Sequence, residues 1–149
     1  MVALRWLLMA FALLVVPTVV PDGASYAQTR TDEVKVVYHL NEGIDQAARA
    51  MNNIRNHLGA DPKAKIQVVT HGRGIDFLLK GARKPNGASF TNDIEELATR
   101  GIEFKVCRNT LETREIDASN VVPDGRIVAS GVAEVARLQA KEGYVYLRP

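Results

Sequence analysis

Cysteine is almost absent from this sequence, which contains Cys107 alone among 149 residues. A single cysteine cannot form a disulfide within the chain, so no disulfide framework supports the fold. The short spacings C-x-x-C and H-x-x-x-H are also missing, and with them the usual sequence pattern of a metal site. No Ser-His-Asp motif, phosphate-binding P-loop or pair of catalytic carboxylates can be recognised. The role of the lone cysteine is therefore the main question that the sequence raises.

The net charge of the chain is also small. The 19 lysines and arginines nearly balance the 17 aspartates and glutamates, which leaves a net charge of +2. The charged residues are scattered, without a block of like charge, and the sequence contains no internal repeat. This balance gives no argument for binding to nucleic acid or to a membrane surface. We therefore predict neither kind of partner.

Only one long apolar run occurs, and it lies at the N-terminus. Arg5 precedes the run Trp6–Val16, and the small residues Ser25 and Ala27 occupy the −3 and −1 positions of a cleavage site before Gln28. This arrangement predicts a secretory signal peptide over residues 1–27. An uncleaved membrane anchor is the alternative, but the run is too short for a bilayer core about 30 Å thick. We therefore expect a periplasmic or secreted protein with a single domain over residues 28–149 and no membrane association after cleavage.

Strand-like and helix-like segments alternate along the rest of the chain. The first helix is predicted from a cap at Asn41 to Gly59, a short second helix over 75–79, and the last helix from a cap at Ser130 to Gly143. Two more helices are predicted from capping boxes: one at Asn92 and Glu95, with its end near Arg100, and one at Asn109 and Glu112. The strands are predicted at Lys35–Leu40, Ile66–Thr70, Ile102–Cys107, Arg126–Ala129 and Tyr144–Leu147. This alternation predicts an α/β fold with a mostly parallel five-stranded sheet and helices on both faces.

Three residues with nucleophilic or proton-exchanging side chains fall at the carboxyl ends of predicted strands, where open parallel sheets bind ligands. His39 is near the end of the first strand, His71 follows the second and Cys107 ends the third, so we expect them along one edge. Cys107 also precedes a predicted helix, whose positive N-terminus together with Arg108 favours a reactive thiolate. Two alternatives stay open: a small buried apolar residue, or a cysteine that forms an intermolecular disulfide.

The residues around these strand ends suggest accessory roles. His71 lies in the segment THGRG (70–74), whose glycines allow close approach of a ligand, while Arg73 can attract an anion; a tight strand-to-helix turn explains the same pattern. His39 can orient or deprotonate the thiol, or it can be an ordinary hydrogen-bonded strand residue. We name Arg73, Arg108 and Asn109 as candidate substrate-binding residues and predict no metal and no cofactor. His57, in the last turn of the first helix, is assigned to the helix dipole and to no chemistry.

Four segments together resemble the DsrE/DsrF-like family, which includes sulfur-relay proteins of the DsrE and TusD type. They span 34–149 and read KVVYHLNE, IQVVTHGRGIDFLL, LATRGIEFKVCRNTL and VASGVAEVARLQAKEGYVYLRP. The resemblance implies a three-layer α/β/α sandwich with five parallel strands and a homo-oligomer, commonly a trimer or hexamer. In the relay members a cysteine carries persulfide sulfur between proteins, and Cys107 matches it by position. Those members are cytoplasmic, so the predicted export signal argues against a role in tRNA thiolation.

Two hypotheses follow from the sequence. In the first, the chain is a sulfur carrier or sulfurtransferase-like protein that holds sulfane sulfur as a persulfide on Cys107. Its partners would be a sulfur donor or acceptor protein, or a small sulfur anion such as thiosulfate. In the second, the chain is a non-catalytic oligomeric binding protein with a small-ligand or metal site at the carboxyl ends of the strands.

Overall fold

The computed structural model describes residues 33–149, so the predicted signal peptide lies outside the described residues. The strands are β1 (Lys35–Leu40), β2 (Lys65–Thr70), β3 (Glu103–Cys107), β4 (Gly125–Val128) and β5 (Val145–Leu147). The helices are α1 (Ile44–Ala60), α2 (Thr91–Thr99), α3 (Arg108–Thr113) and α4 (Gly131–Glu142), with 3-10 helices at Gly72–Leu78 and Ala118–Asn120. None of the helices within residues 33–149 is long and apolar enough to cross a membrane.

All five strands are parallel and form one sheet in the order β4-β3-β2-β1-β5. This arrangement confirms the predicted α/β fold, and the sheet is wholly rather than mostly parallel. The order places the first three strands side by side, with β1 paired to β2 and β2 paired to β3. Their carboxyl ends therefore meet at one edge of the sheet, which is where the candidate residues lie.

The two faces of the sheet are covered unequally, although helices lie on both. One face carries most of the core, in which strand residues such as Val36, Val68 and Phe104 pack with residues of α1, α2 and α3. The opposite face carries a small cluster, in which Val37 and Val69 pack against residues of α4 and the segment after it: Val135, Leu138 and Tyr144. The fold is thus a three-layer α/β/α sandwich in which α4 alone forms one outer layer.

Helix ends show where local prediction succeeded and where it failed. Ser130 caps α4, since its hydroxyl oxygen accepts a hydrogen bond from the Ala133 N–H, and Gly143 ends the helix at φ 75°, as predicted. The prediction for Asn41 was wrong, because α1 begins after Gly43. The carboxamide oxygen of Gln46 instead accepts from the N–H groups of residues 41 and 42. Gly59 lies inside α1 and does not end it.

Both predicted capping boxes are wrong as well. Helix α2 begins at Thr91 and α3 begins at Arg108, and neither has a side-chain cap. The short helix predicted at 75–79 is a 3-10 helix that begins earlier, at Gly72. The consequence for the site is that α3 follows β3 with no intervening residue, which places Cys107 itself at the N-cap position of α3.

Candidate functional site

Cys107 lies at the point where β3, α3 and α4 meet. It is the last residue of β3 and is only 4 % exposed. The Cys107 side chain makes no N-cap hydrogen bond to α3. Nevertheless the backbone N–H groups of Gly131, Thr110 and Asn109 and the Thr110 hydroxyl are near enough to the sulfur to lower the pKa of the Cys107 thiol. Burial raises the pKa of the Cys107 thiol, but these four polar hydrogens outweigh burial and hold the pKa below its ordinary value.

Thr110 is oriented by a contact on its other side. Its hydroxyl oxygen accepts a hydrogen bond from the Gly72 N–H at 3.0 Å, on the loop that follows β2. The hydroxyl keeps its single proton to donate, and a hydrogen bond from this hydroxyl to the sulfur lowers the pKa of the Cys107 thiol. Thr110 thus links the loop after β2 to the thiol.

Replacing Thr110 by valine is expected to slow alkylation of Cys107 near neutral pH about fivefold, which corresponds to a net hydrogen-bond contribution of about 1 kcal/mol. The valine has the shape of threonine but has no hydroxyl to stabilise the thiolate. Timed reactions with iodoacetamide, followed by intact mass, give the rate. Thr110→Ser retains the hydroxyl and is the matched control; equal rates for the valine and serine variants would exclude this role.

Gly131 allows α4 to approach the sulfur. A Cβ at this position would lie 2.8 Å from the Thr70 carbonyl oxygen and 3.2 Å from the β-carbons of both Cys107 and His71. The β-carbons of Cys107 and His71 are therefore no farther apart than twice 3.2 Å. Since a real Cβ essentially never approaches a backbone oxygen so closely, only glycine lets the first N–H of α4 reach Cys107.

His39 and His71 form a stacked pair beside the thiol. Their ring centroids are 4.8 Å apart, and the Nδ1 atom of His39 is 2.9 Å from the Tyr146 hydroxyl. The Nε2 atom of His39 is buried without a hydrogen-bond partner among residues 33–149. Burial lowers the pKa of both histidines, and the neighbouring His71 and Arg148 lower the pKa of His39 further. Both rings are therefore neutral near pH 7 and able to accept a proton.

A cavity of about 310 Å³ opens in front of Cys107, and we name it the Cys107 cavity. Its lining has one arginine and no aspartate or glutamate. The residues that line it are His71, Gly72, Cys107, Asn109, Thr110, Thr113, Arg114, Ser130 and Val132. Arg114 is held in place by its Nη1 atom, which donates to the Asp76 carboxylate at 2.6 Å and to the Gly72 carbonyl at 3.1 Å.

Comparison with known proteins now adds a decisive observation, because the model of the DsrE/DsrF-like family matches residues 35–149. The chain belongs to the DsrE/DsrF-like family. Protein MTH1491 of Methanobacterium thermoautotrophicum, described as having unknown function, is 28% identical with a TM-score of 0.69, and the match covers 78% of this chain and 99% of that chain. The YchN protein of E. coli shares the fold at 12% identity and a TM-score of 0.62, over 78% and 98% of the two chains. No curated protein matches the chain.

In this DsrE/DsrF-like chain the predicted site residues separate into two groups. His71, Cys107 and Asn109 line the Cys107 cavity, and His39 contacts it only through His71. Arg73 and Arg108 are exposed and are not among the lining residues.

Two of the basic residues lie away from the thiol. The Arg73 side chain lies over Gly43, with its guanidinium 3.6 Å from the place a Cβ there would occupy. His57 accepts or donates a hydrogen bond at 3.1 Å with the Tyr38 hydroxyl, a contact between α1 and β1.

Three residues of the site were missed by the sequence reasoning: Thr110, Arg114 and Gly131. The spacing of Thr110, Thr113 and Arg114 places them on one face of a helix, which is a pattern that could have been found once α3 was started at residue 108. The contribution of Gly131 depends on how α4 crosses the sheet, and no local pattern reports that.

Metal binding by the two histidines and the cysteine has no geometric support. Within residues 33–149 no three histidine, cysteine or acidic side chains come together as a metal site. The rings of His39 and His71 are stacked, with 30° between their planes.

Proposed function

We propose that this chain is a sulfur carrier that holds sulfane sulfur as a persulfide on Cys107. The observation that carries the proposal is the position of Cys107, which is buried at the N-cap of α3, closely approached by Gly131 of α4, and lines a cavity. Such an environment favours the thiolate, which is the nucleophilic form of cysteine. Membership of a family generally related to sulfur relay supports the same function.

The chemistry needs no cofactor and no external oxidant. The Cys107 thiolate attacks a sulfane sulfur, a new S–S bond forms, and the bond between that sulfur and its donor breaks with the electron pair on the donor. An acceptor thiolate then attacks the outer sulfur of the persulfide and returns Cys107 to the thiolate. The Cys107 cavity has room for the added sulfur atom, and the neutral His71 ring can take up the proton of an incoming thiol.

The location and assembly of this carrier are part of the proposal. The apolar run and cleavage pattern of residues 1–27 support export, so the carrier would act in the periplasm or outside the cell. Val132 is 61 % exposed and Val145 of the edge strand β5 is 57 % exposed, which supports burial of these surfaces in a homo-oligomer such as a trimer or hexamer. Light scattering on residues 28–149 tests this; a monomer at micromolar concentration would contradict it.

The second candidate is a non-catalytic binding protein, and the near-complete burial of Cys107 is the observation that favours it. Free cysteines are often buried as small apolar residues. In that case the Cys107 cavity would hold a small ligand and the thiol would react slowly in the folded protein.

Exposure to polysulfide is expected to add sulfur to the wild-type protein and not to Cys107→Ser. Intact mass before and after exposure measures the addition, and treatment with a reductant should remove it completely, as expected for a persulfide. Serine is close in size to cysteine, so the variant preserves the packing of the site. Equal sulfur uptake by Cys107→Ser, or no uptake by the wild type, would exclude the carrier function.

A further inference from the structure

The position of the thiol restricts the kind of donor that can reach it. Cys107 is 4 % exposed and belongs to a regular strand followed directly by a helix. A folded donor protein that presents its persulfide on its own surface cannot bring it to this sulfur without opening the site. A small molecule can enter the Cys107 cavity, whose volume of about 310 Å³ is at the lower end for ligand sites.

The surface of the cavity is mainly apolar, but several hydrogen-bond donors lie among its lining residues. Both hydrogen bonds of Arg114 are made by Nη1, so the N–H groups on Nε and Nη2 have no partner among residues 33–149. The Ser130 hydroxyl accepts from the Ala133 N–H, which leaves its proton available. Asn109 also lines the cavity, and a carboxamide side chain carries two N–H donors.

The charges around the cavity agree with this distribution of donors. No aspartate or glutamate lines it, and Asp76, whose carboxylate accepts a hydrogen bond from Arg114, is not among the lining residues. An arginine with a free pair of N–H groups is suited to a planar or tripodal set of oxygens on an anion. Cys107 and Arg114 line the same cavity, so an anion bound by Arg114 shares this space with the thiol.

We infer that the donor for this site is a small sulfane oxyanion of the thiosulfate class, whose oxygens are bound by Arg114 while its outer sulfur meets Cys107. The inference rests on the proposed carrier function and specifies its substrate. In the reaction the Cys107 thiolate attacks the outer sulfur of thiosulfate, a Cys107 S–S bond forms, and the S–SO₃ bond breaks. Its electron pair leaves on sulfite, so the total charge is the same on both sides and no oxidant is required.

The test compares donors on the purified protein. Thiosulfate is expected to add one sulfur atom to Cys107 and to release sulfite, which a sulfite-selective dye measures. Arg114→Gln is expected to slow the thiosulfate reaction about tenfold, because it removes charge-assisted hydrogen bonds to the oxyanion. Alkylation of Cys107 by neutral iodoacetamide should stay near the wild-type rate, since Arg114 is assigned to the donor and not to the thiol.

Arg83→Gln is the matched control. Arg83 likewise donates to the carbonyl oxygen of a glycine, Gly87, but it does not line the cavity. Its thiosulfate rate should equal that of the wild type. If Arg114→Gln has a lowered melting temperature, Arg114→Lys serves in its place: the charge remains, the bidentate donor pair is lost, and the thiosulfate rate should still fall while alkylation does not.

The outcomes distinguish failure of the thiosulfate proposal from failure of the carrier function. Sulfur loading by polysulfide without any loading by thiosulfate would overturn the oxyanion donor and leave the carrier function standing. Loading by neither would overturn both. An equal loss of thiosulfate reaction and alkylation in both Arg114 variants would show that Arg114 acts on the thiol or the fold, which would also overturn its assigned role.

Discussion

Gly131→Ala is expected to destabilise the protein by about 2 kcal/mol, within the usual range for overpacking, and to slow alkylation of Cys107 about fivefold or more. The added Cβ would lie 2.8 Å from the Thr70 carbonyl oxygen, which belongs to a central strand and cannot move away. The first turn of α4 must shift instead, and its N–H then moves away from the sulfur. Chemical denaturation and iodoacetamide kinetics measure the two effects.

Gly59→Ala separates this local effect from the general effect of replacing a glycine. Gly59 lies within α1, and nothing is within 4 Å of the place its Cβ would occupy. Alanine there should stabilise the helix by roughly 0.5–1 kcal/mol and leave alkylation unchanged. Wild-type stability and thiol reactivity in Gly131→Ala would contradict the close approach of α4 to Cys107.

Lys105→Met is expected to lower the free energy of unfolding by about 3 kcal/mol, at the lower end of values for breaking a buried ion pair. Lys105 is 4 % exposed, and its Nζ atom is 2.5 Å from the carboxylate of Glu134 in the first turn of α4. Methionine fills a similar volume but leaves that carboxylate with Arg137 as its remaining strong partner. Denaturant unfolding at neutral pH measures the loss.

The pair also makes a pH-dependent contribution. Hydrogen bonds from Arg137, and then from Lys105, outweigh burial and lower the pKa of Glu134 to about 2. A lowered carboxyl pKa stabilises the fold above the unfolded value of 4.5, and this stabilisation is lost as the pH falls toward about 2. The wild type should therefore lose more stability over this interval than Glu134→Gln. Equal acid sensitivity, or full stability in Lys105→Met, would contradict the assignment.

A double variant tests whether Lys105 and Glu134 stabilise the fold by interacting with each other. In Lys105→Met with Glu134→Gln neither charge is left without its partner, so the stability should exceed that expected from adding the two single losses. Additive losses would mean that the two side chains do not interact.

The sequence was sufficient for the fold because each strand and helix carries its own pattern. Val36, Tyr38 and Leu40 alternate with residues of the opposite face, and the apolar residues of α1 recur at helical spacing. Alternation of such segments permits few arrangements other than a parallel sheet between helices. Helix starts were predicted less well, because α1 begins after Gly43 with no side-chain cap, and the Gln46 carboxamide binds N–H groups that precede the helix.

The candidate site could be predicted only in part, for a related reason. The residues that directly end or follow a strand, His71 and Cys107, were placed correctly on one edge by the parallel topology alone. The roles of the other site residues depend on contacts between separate elements, such as the 3.0 Å hydrogen bond from the Gly72 N–H to Thr110. These residues are Thr110, Arg114 and Gly131. Such contacts depend on how loops and helices pack, and no sequence period encodes them.

That the fold holds Cys107 as a reactive thiolate is tested most directly by the rate of native alkylation as a function of pH. The expected profile reaches half its maximum below 9.0, the ordinary pKa of a cysteine thiol, because hydrogen bonds from α3 and α4 outweigh burial and lower the pKa of Cys107. The protein must stay folded over the measured range, which circular dichroism checks. A midpoint at or above the ordinary value, or a thiol that reacts only after unfolding, would contradict the carrier function and favour a packed cysteine in a binding protein.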